Sequence, residues 1–404
     1  MLFAWWWACG MMTADRGLEA PLGSLSVAGP GQISQETGHL TVLATGDIMI
    51  HRAVERAAAS MASTRQTSER HGYEALFEGI RTLVRDVDVA FANLETPVAP
   101  SRFRARRPRV FNADPLVVES LVATGFDLVS LANNHAFDQG PEGLEETMTV
   151  LDDRSLGFVG VGSTCEEART PVVMRRSGLT VAFFAATELL NEDWNVRADA
   201  TCTATLDPSD LIQRAQAARE AGADFVVLSL HWGDEYVQDP GASRRRLARR
   251  LVEGGVDVIL GHHAHVLQPV ELHRTSDGRA ALVAYGLGNL ISNQAAWYLP
   301  GVHAPRSARP RDGLALSFRL SRRQIGEGET ATWRSEIVDI RTIPLWTVND
   351  RLRAGTEIRV VPTDDAVDEL LGSEEDGLAW VTELRARAQL VRDEARPTIV
   401  APRH

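Results

Sequence analysis

From residue 40 onward, short β-rich apolar runs alternate with stretches of helical periodicity. LTVLATGD (40–47) is a β-rich run that stops at Gly46-Asp47, and VDVAFANLE (87–95) is another that stops at a carboxylate. Asp114-Pro115 opens the helical stretch PLVVESLVAT with a capping residue and a proline in its first turn. Gly125 closes that stretch, and FDLVSLANNH (126–135) reads as the next strand. A helix from Pro141 to about Leu151 follows. Asp207-Pro208 starts another, closed by glycine before the strand ADFVVLSLHWG (223–233). SRRRLARRLVEGG (243–255) supplies a further helix, and VDVILGHH (256–263) the strand after it. ALVAYGLGNLI (281–291) reads as one late strand, and GLALSFRLS (313–321) with SEIVDIRTIPL (335–345) as an antiparallel pair. Repeated strand-helix units predict an α/β fold, a layered sheet structure with helices on its faces.

The ends of the chain break this pattern. MLFAWWWACG is apolar but lacks a basic flank and the roughly 20 residues of a membrane helix. Residues 1–38 read as a flexible leader, 39–345 as the main domain, and 346–404 as an extension packed on it. The extension has helical character around DGLAWVTELRARAQLVRDEA. HAPRSARPRDG (303–313) reads as a solvated linker, with a mobile flap as the alternative. The poor leader leans the compartment toward the cytoplasm, against a membrane-associated extracytoplasmic alternative.

Composition narrows the chemistry. The 404 residues, 44% apolar and 24% charged, suffice for a substantial core. Lys plus Arg total 42 against 54 Asp plus Glu, and the net charge of -12 argues against a nucleic-acid binder. Cys9, Cys165 and Cys202 are too few and too scattered for a disulfide framework or a cysteine-rich zinc site. Any metal must then be held by His, Asp, Glu or Asn. An anionic substrate would need local positive charge, and SRFRARRPR (101–109) concentrates Arg102, Arg104, Arg106, Arg107 and Arg109. Such a run is ordinarily a solvated loop, yet it directly follows the Glu95 segment. RRRLARR (244–250) lies on a predicted helix and reads as a surface face.

Ligands of α/β sheets bind beyond the carboxyl ends of the strands. Asp47 follows the first predicted strand, and Asn93 and Glu95 follow the second. Asn133, Asn134 and His135 come next, then His231, then His262, His263 and His265. Taken singly, Asp47 reads as a turn residue, His231 as a core histidine, and the Asn-Asn-His stretch as a helix cap. Three imidazoles crowded into 262–265 would need many hydrogen-bond partners if they were merely structural. Together these side chains form a borderline ligand set suited to Zn, Mn or Fe, in which one carboxylate can bridge two ions. Asp138, Asp234 and Glu235 are candidates to orient the imidazoles. Asn289, also after a strand, is placed to line the pocket floor or hold a turn.

The segments SLANNHAFDQG, LHWGDEY, GHHAHVLQPVE and YGLGNLISNQ, with Gly46-Asp47 and Asn93-Leu94-Glu95, resemble the CapA family of poly-γ-glutamate capsule synthesis proteins. That family is itself similar to the calcineurin-like metallophosphoesterases. The resemblance spans roughly residues 40 to 345. It implies a layered, metallophosphoesterase-like sandwich of mixed sheets flanked by helices, holding one or two divalent ions. Position by position, it implies that Asp47 and His265 bind a first metal and that Glu95 bridges. Asn134, His231 and His263 would bind a second. His135, with Asp138, would be the proton donor or transition-state stabiliser; apart from the resemblance, Asn93, His262, Asn289, Arg107 and Arg109 read from their positions as candidates to support ligands or substrate. Two positions depart from the phosphoesterase pattern. Met49 stands where Asp-x-His requires a histidine, and the bridge is Glu instead of Asp.

Two function classes follow. One is a metal-dependent hydrolase or transferase acting on a phosphoester or amide through metal-activated water. The other is a non-catalytic or weakly catalytic partner in poly-γ-glutamate synthesis or export that binds the polyanion. The retained histidines favour the first and Met49 favours the second. Either takes an anionic or polyglutamate-like partner.

Overall fold

Two large sheets pack face to face in the computed structural model, which describes residues 34–102, 109–195, 197, 199–326, 331–349, 357–371 and 377–400. The first sheet runs in the order Ile358–Pro362, Thr332–Asn349, Asp312–Ile325, Ser34–Ile48, Val89–Leu94, Leu128–Ser130, Gly157–Val159. The short strand Asn289–Ile291 lies beside the end of Ser34–Ile48. The second runs Thr398–Val400, Val270–Arg274, Ala280–Ala284, Val258–His262, Phe225–His231, Leu179–Thr187, Val172–Arg176. Leu40, Val42 and Phe91 of the first sheet bury against Val181, Phe183 and Leu260 of the second, and Phe91 stacks on Phe183 at 6.4 Å. Each fully buried side chain of this kind contributes roughly 1.5–3 kcal/mol.

Helices cover both outer faces, as their one-sided apolar patterns require. Arg52–Thr64, Leu116–Thr124 and Gly140–Asp152 bury Val54, Leu121 and Leu151 on the first sheet. Pro208–Glu220 and Gly241–Glu253 bury Leu211 and Leu251 on the second. The expected signals operate at their ends. Asp207 accepts from the backbone N–H groups of Ser209 and Asp210, and Gly125 closes its helix at φ 118°. The layered α/β structure with helices on its faces is what the alternating pattern predicted, and the sandwich of mixed sheets is what the resemblance implied.

Parallel pairing brings the strand ends to one edge. Asp47 is in register with Asn93 and with Asn289, Asn93 with Ser130, and His262 with His231. Glycines let the strands approach there. A Cβ on Gly46 would sit 2.0 Å from the Gly288 carbonyl oxygen, and one on Gly261 would sit 1.9 Å from that of Tyr285.

Several expectations need correction. The run 281–291 is two strands, Ala280–Ala284 and Asn289–Ile291, in different sheets, because Gly286 and the left-handed Gly288 turn the chain between them. Pairing starts at Ser34, inside the segment expected as leader, and residues 1–33 lie outside the described residues. The boundary at 345 falls within the strand Thr332–Asn349. The extension also adds Ile358–Pro362 to the first sheet and Thr398–Val400 to the second, so it is part of both layers. The proline-arginine segment is no solvated linker. Pro305–Arg311 is a 3-10 helix whose Arg311 is buried, its guanidinium 4.3 Å from the Trp346 ring. Cys165 and Cys202 form a disulfide, brought together by pairing of Gly162 with Cys202.

Candidate metal centre

At the shared strand edge the expected side chains converge. Asp47 and Glu95 are both 0% exposed. His231 Nε2 lies 2.8 Å from Asn134 Oδ1, 3.1 Å from His263 Nδ1 and 3.5 Å from Glu95 Oε1. His265 Nε2 is 3.8 Å from the same Glu95 oxygen, and its Nδ1 is 3.3 Å from Asp47 Oδ2. Ligand atoms of Glu95, His231 and His263 fall within 4.8 Å of one another, as do those of Asp47, Glu95 and His265, so Glu95 belongs to both groups.

The local backbone explains how neighbouring histidines share this opening. His263 and His265 both adopt left-handed conformations, φ 83° and 54°, so the chain turns just beyond its strand. Such residues each cost about 1–3 kcal/mol and persist where surrounding structure determines them. The His263 N–H donates to Asp47 Oδ2 at 3.2 Å, tying the turn to the first strand. In the Asn-Asn-His stretch, Asn133 makes the local turn. Its side chain donates to the Leu94 carbonyl and accepts from the His135 N–H, which frees Asn134 and His135 to face the centre.

Electrostatics suit a cation. Neither Glu95 oxygen has a hydrogen-bond partner among the described residues. Burial, then the charges of Asp47, Glu235 and Asp138, push its carboxyl well above the usual range. Burial pushes Asp47 up as well, but the His262 and His265 rings beside it outweigh this and hold it well below the usual range. Burial, reinforced by His263, holds His231 well below the ordinary histidine value, and burial with His265 lowers His263. Neutral imidazoles offer lone pairs, which is the state a metal requires. An orphaned buried carboxylate among neutral imidazoles and an amide oxygen fits a divalent ion of the Mn, Zn or Fe type.

Around these donors lies a supporting layer. Asn93 Nδ2 donates to Asp47 Oδ1 at 2.9 Å and sits 3.3 Å from His231 Nδ1. His262 Nδ1 is 3.1 Å from Asp47 Oδ1 with its ring against Phe91, behind the carboxylate and away from solvent. Asn289 Oδ1 accepts from His265 Nδ1 at 3.0 Å. Asp138 accepts from His135 Nδ1 at 2.8 Å and from the Phe111 N–H at 2.6 Å. Asp234, by contrast, does not orient an imidazole. It turns outward and pairs with Arg244 at 3.1 Å. Arg109 is exposed, with its charge felt at the Tyr236 phenol, and Arg107 lies outside the described residues. Met49 is buried and its sulfur accepts from Gln294 at 3.7 Å.

Other contacts have no counterpart in the strand-end pattern. Asn191 reaches in from a loop, where its Oδ1 accepts from Asn134 at 3.2 Å and its Nδ2 lies 3.4 Å from His135 Nδ1. Phe111 packs between His135 and His51, at 4.4 and 5.0 Å. Tyr236 lies over His265 at 6.0 Å and accepts from Gln294. Of these, only Tyr236 had a sequence cue, as the end of LHWGDEY.

The family model described as bacterial capsule synthesis protein PGA_cap matches residues 41–294, which include every ligand candidate from Asp47 to His265. The chain belongs to this family. It is 28% identical over 323 residues to the PGA biosynthesis protein CapA of Bacillus subtilis, covering 79% of this chain and 77% of that one. It is 27% identical over 267 residues to the capsule biosynthesis protein CapA of Bacillus anthracis, covering 64% and 61%. Among solved structures, the calcineurin-like phosphoesterase YfkN from Bacillus subtilis is similar at 13% identity and TM-score 0.39, covering 85% of this chain and 99% of that one.

Proposed function

We propose that this PGA_cap family member is a metal-dependent hydrolase or transferase of poly-γ-glutamate capsule synthesis, acting on a phosphoester or a γ-glutamyl amide. The observation that carries the reading is Glu95, a fully buried carboxylate without a hydrogen-bond partner among the described residues, set among neutral imidazoles. Such a group is costly unless a cation accompanies it. In this reading Asp47, Glu95 and His265 hold one ion, and Glu95, Asn134, His231 and His263 hold a second. A bound divalent ion supplies a Lewis acid and brings the pKa of water toward neutrality.

The protein's own groups do the rest. Asp138 accepts a hydrogen bond from His135 Nδ1–H, so proton exchange with a leaving group runs through Nε2. Asn93, Asn289 and His262 hold the ligands in place. Arg109 meets the negative charge of the substrate.

A second reading has one observation in its favour. Buried Met49 stands after Asp47 where a phosphoesterase carries a ligand histidine, which suits a remodelled centre that binds polyglutamate without turning it over. Metal analysis of the purified protein, with a panel of phosphoester and γ-glutamyl substrates, separates the two. Stoichiometric metal and turnover abolished in both His135→Ala and His263→Ala support the enzyme. Metal-free protein that still binds polyglutamate supports the partner.

A further inference from the structure

We propose that Glu235 is a metal ligand, closing the centre from its solvent side together with His263 and His265. This rests on the metal-centre reading above and extends it to a residue outside the strand-end ligand set. One carboxylate oxygen of Glu235 and one ring nitrogen each of His263 and His265 lie within 4.8 Å of one another, with Glu235 exposed and both histidines buried. The second ion has four donors in Glu95, Asn134, His231 and His263, whereas the first has three in Asp47, Glu95 and His265. Metals that take such ligands ordinarily bind four or more. Met49 does not make up the deficit, since its sulfur faces Gln294.

The loop carrying Glu235 is built against the histidine turn. The Tyr236 N–H donates to the carbonyl of Ala264, the residue between the two histidines, at 2.7 Å. Gly233 and Tyr236 both have positive φ, 99° and 63°, so the backbone turns on either side of the Asp234-Glu235 pair. The Gly233 N–H donates to Glu188 at 2.9 Å, and Arg244 draws Asp234 outward. Two adjacent acids are thereby divided, one to a surface ion pair and one to the centre. Glu95 approaches from the buried side with both oxygens unpartnered among the described residues, and Glu235 supplies the opposing carboxylate. An exposed ligand on a loop is also the one a substrate oxygen can displace.

The test is Mn2+ titration of the metal-stripped protein by calorimetry, with bound metal counted by mass spectrometry, on wild type, Glu235→Gln and Asp234→Asn. Loss of outer-shell partners already costs about 10–100-fold in metal affinity, so loss of a ligand should cost at least tenfold. Glu235→Gln is expected to weaken at least one Mn2+ by that factor or lower the stoichiometry, while Asp234→Asn stays within threefold of wild type. Because Glu235 is exposed, the melting temperature of the stripped protein should not move. A smaller effect of Glu235→Gln, or equal weakening by Asp234→Asn, overturns the assignment and leaves the proposed function standing. A wild-type protein that takes up no Mn2+ overturns both.

Discussion

His265 Nδ1 donates to Asn289 Oδ1 at 3.0 Å, and the orientation of that amide is set by its other end. Asn289 Nδ2 gives its two hydrogens to Gln294 Oε1 at 2.9 Å and the Pro310 carbonyl at 2.8 Å, so the oxygen must face the histidine. The imidazole is thereby protonated at Nδ1 and presents the Nε2 lone pair toward Glu95. Asn289→Leu removes this control without touching a ligand. Mn2+ affinity should fall about 10–100-fold, as read by calorimetric titration. An affinity within twofold of wild type would show that the contact does not tune His265.

Glu95 makes a pH prediction for the metal-stripped protein. Burial holds its folded pKa well above the ordinary carboxyl value of 4.5, so between the two values the folded state binds more protons than the unfolded one. Stability then falls as pH rises from about 4.5 through the raised folded value. Lowered His231 and His263 act in the opposite sense, adding stability as pH rises toward 6.5. Glu95→Gln isolates the carboxylate. The stripped variant should be more stable than stripped wild type at pH 8, and the difference should vanish toward pH 4. Added Mn2+ should raise the melting temperature of wild type and leave that of the variant unmoved. A variant less stable than wild type at pH 8 would refute the account of Glu95 as an uncompensated buried charge.

The convergence of these side chains was legible because parallel strands in an α/β layer end at one edge, so polar residues closing successive apolar runs must meet. Asp47, Glu95, Asn134, His231, His263 and His265 follow that rule. Asn191 does not, because it comes from a loop without periodicity. Asp234 and Glu235 are indistinguishable as sequence, and it is the positive φ angles at Gly233 and Tyr236 together with the Arg244 ion pair that separate their directions. Arg311 lies among prolines and arginines that read as solvated, yet packing against Trp346 and a bond from its Nε to the Thr347 carbonyl bury it. The apolar run at 281–291 carried no mark of its change of sheet except its glycines.

The close strand approach at Gly261 makes a steric prediction. The Cβ of Gly261→Ala would meet the backbone oxygen of Tyr285 at 1.9 Å, an atom that cannot rotate away, in the strand that delivers His262. Overpacking of this kind typically costs about 1–3 kcal/mol, and here it also displaces the histidine turn. Gly261→Ala should lower both the denaturation midpoint and Mn2+ affinity. Gly222→Ala is the control. Gly222 has φ 96° with nothing within 4 Å of its would-be Cβ, so it should lose only about 1–2 kcal/mol of stability and keep its metal affinity. Unchanged metal affinity in Gly261→Ala would mean that the strand approach does not set the ligand geometry.

The Cys165–Cys202 disulfide bears on where the protein works. It joins cysteines 37 residues apart, and the stretch between them carries Asn191, which meets Asn134 and His135. Disulfides persist in oxidising compartments and are rare in the cytosol, which favours the extracytoplasmic alternative over the cytoplasmic one. Among the described residues no helix is long and apolar enough to cross a membrane. Cells of the native host lysed directly into alkylating reagent should yield protein unlabelled at Cys165 and Cys202, whereas full labelling at both would place the working protein in a reducing compartment. Replacing both cysteines with serine should cost about 2–4 kcal/mol in chemical denaturation. Because Asn191 touches His135 and Asn134 directly, the same variant should lose turnover more than Mn2+ affinity, and equal losses in the two would show that the loop is only a structural brace.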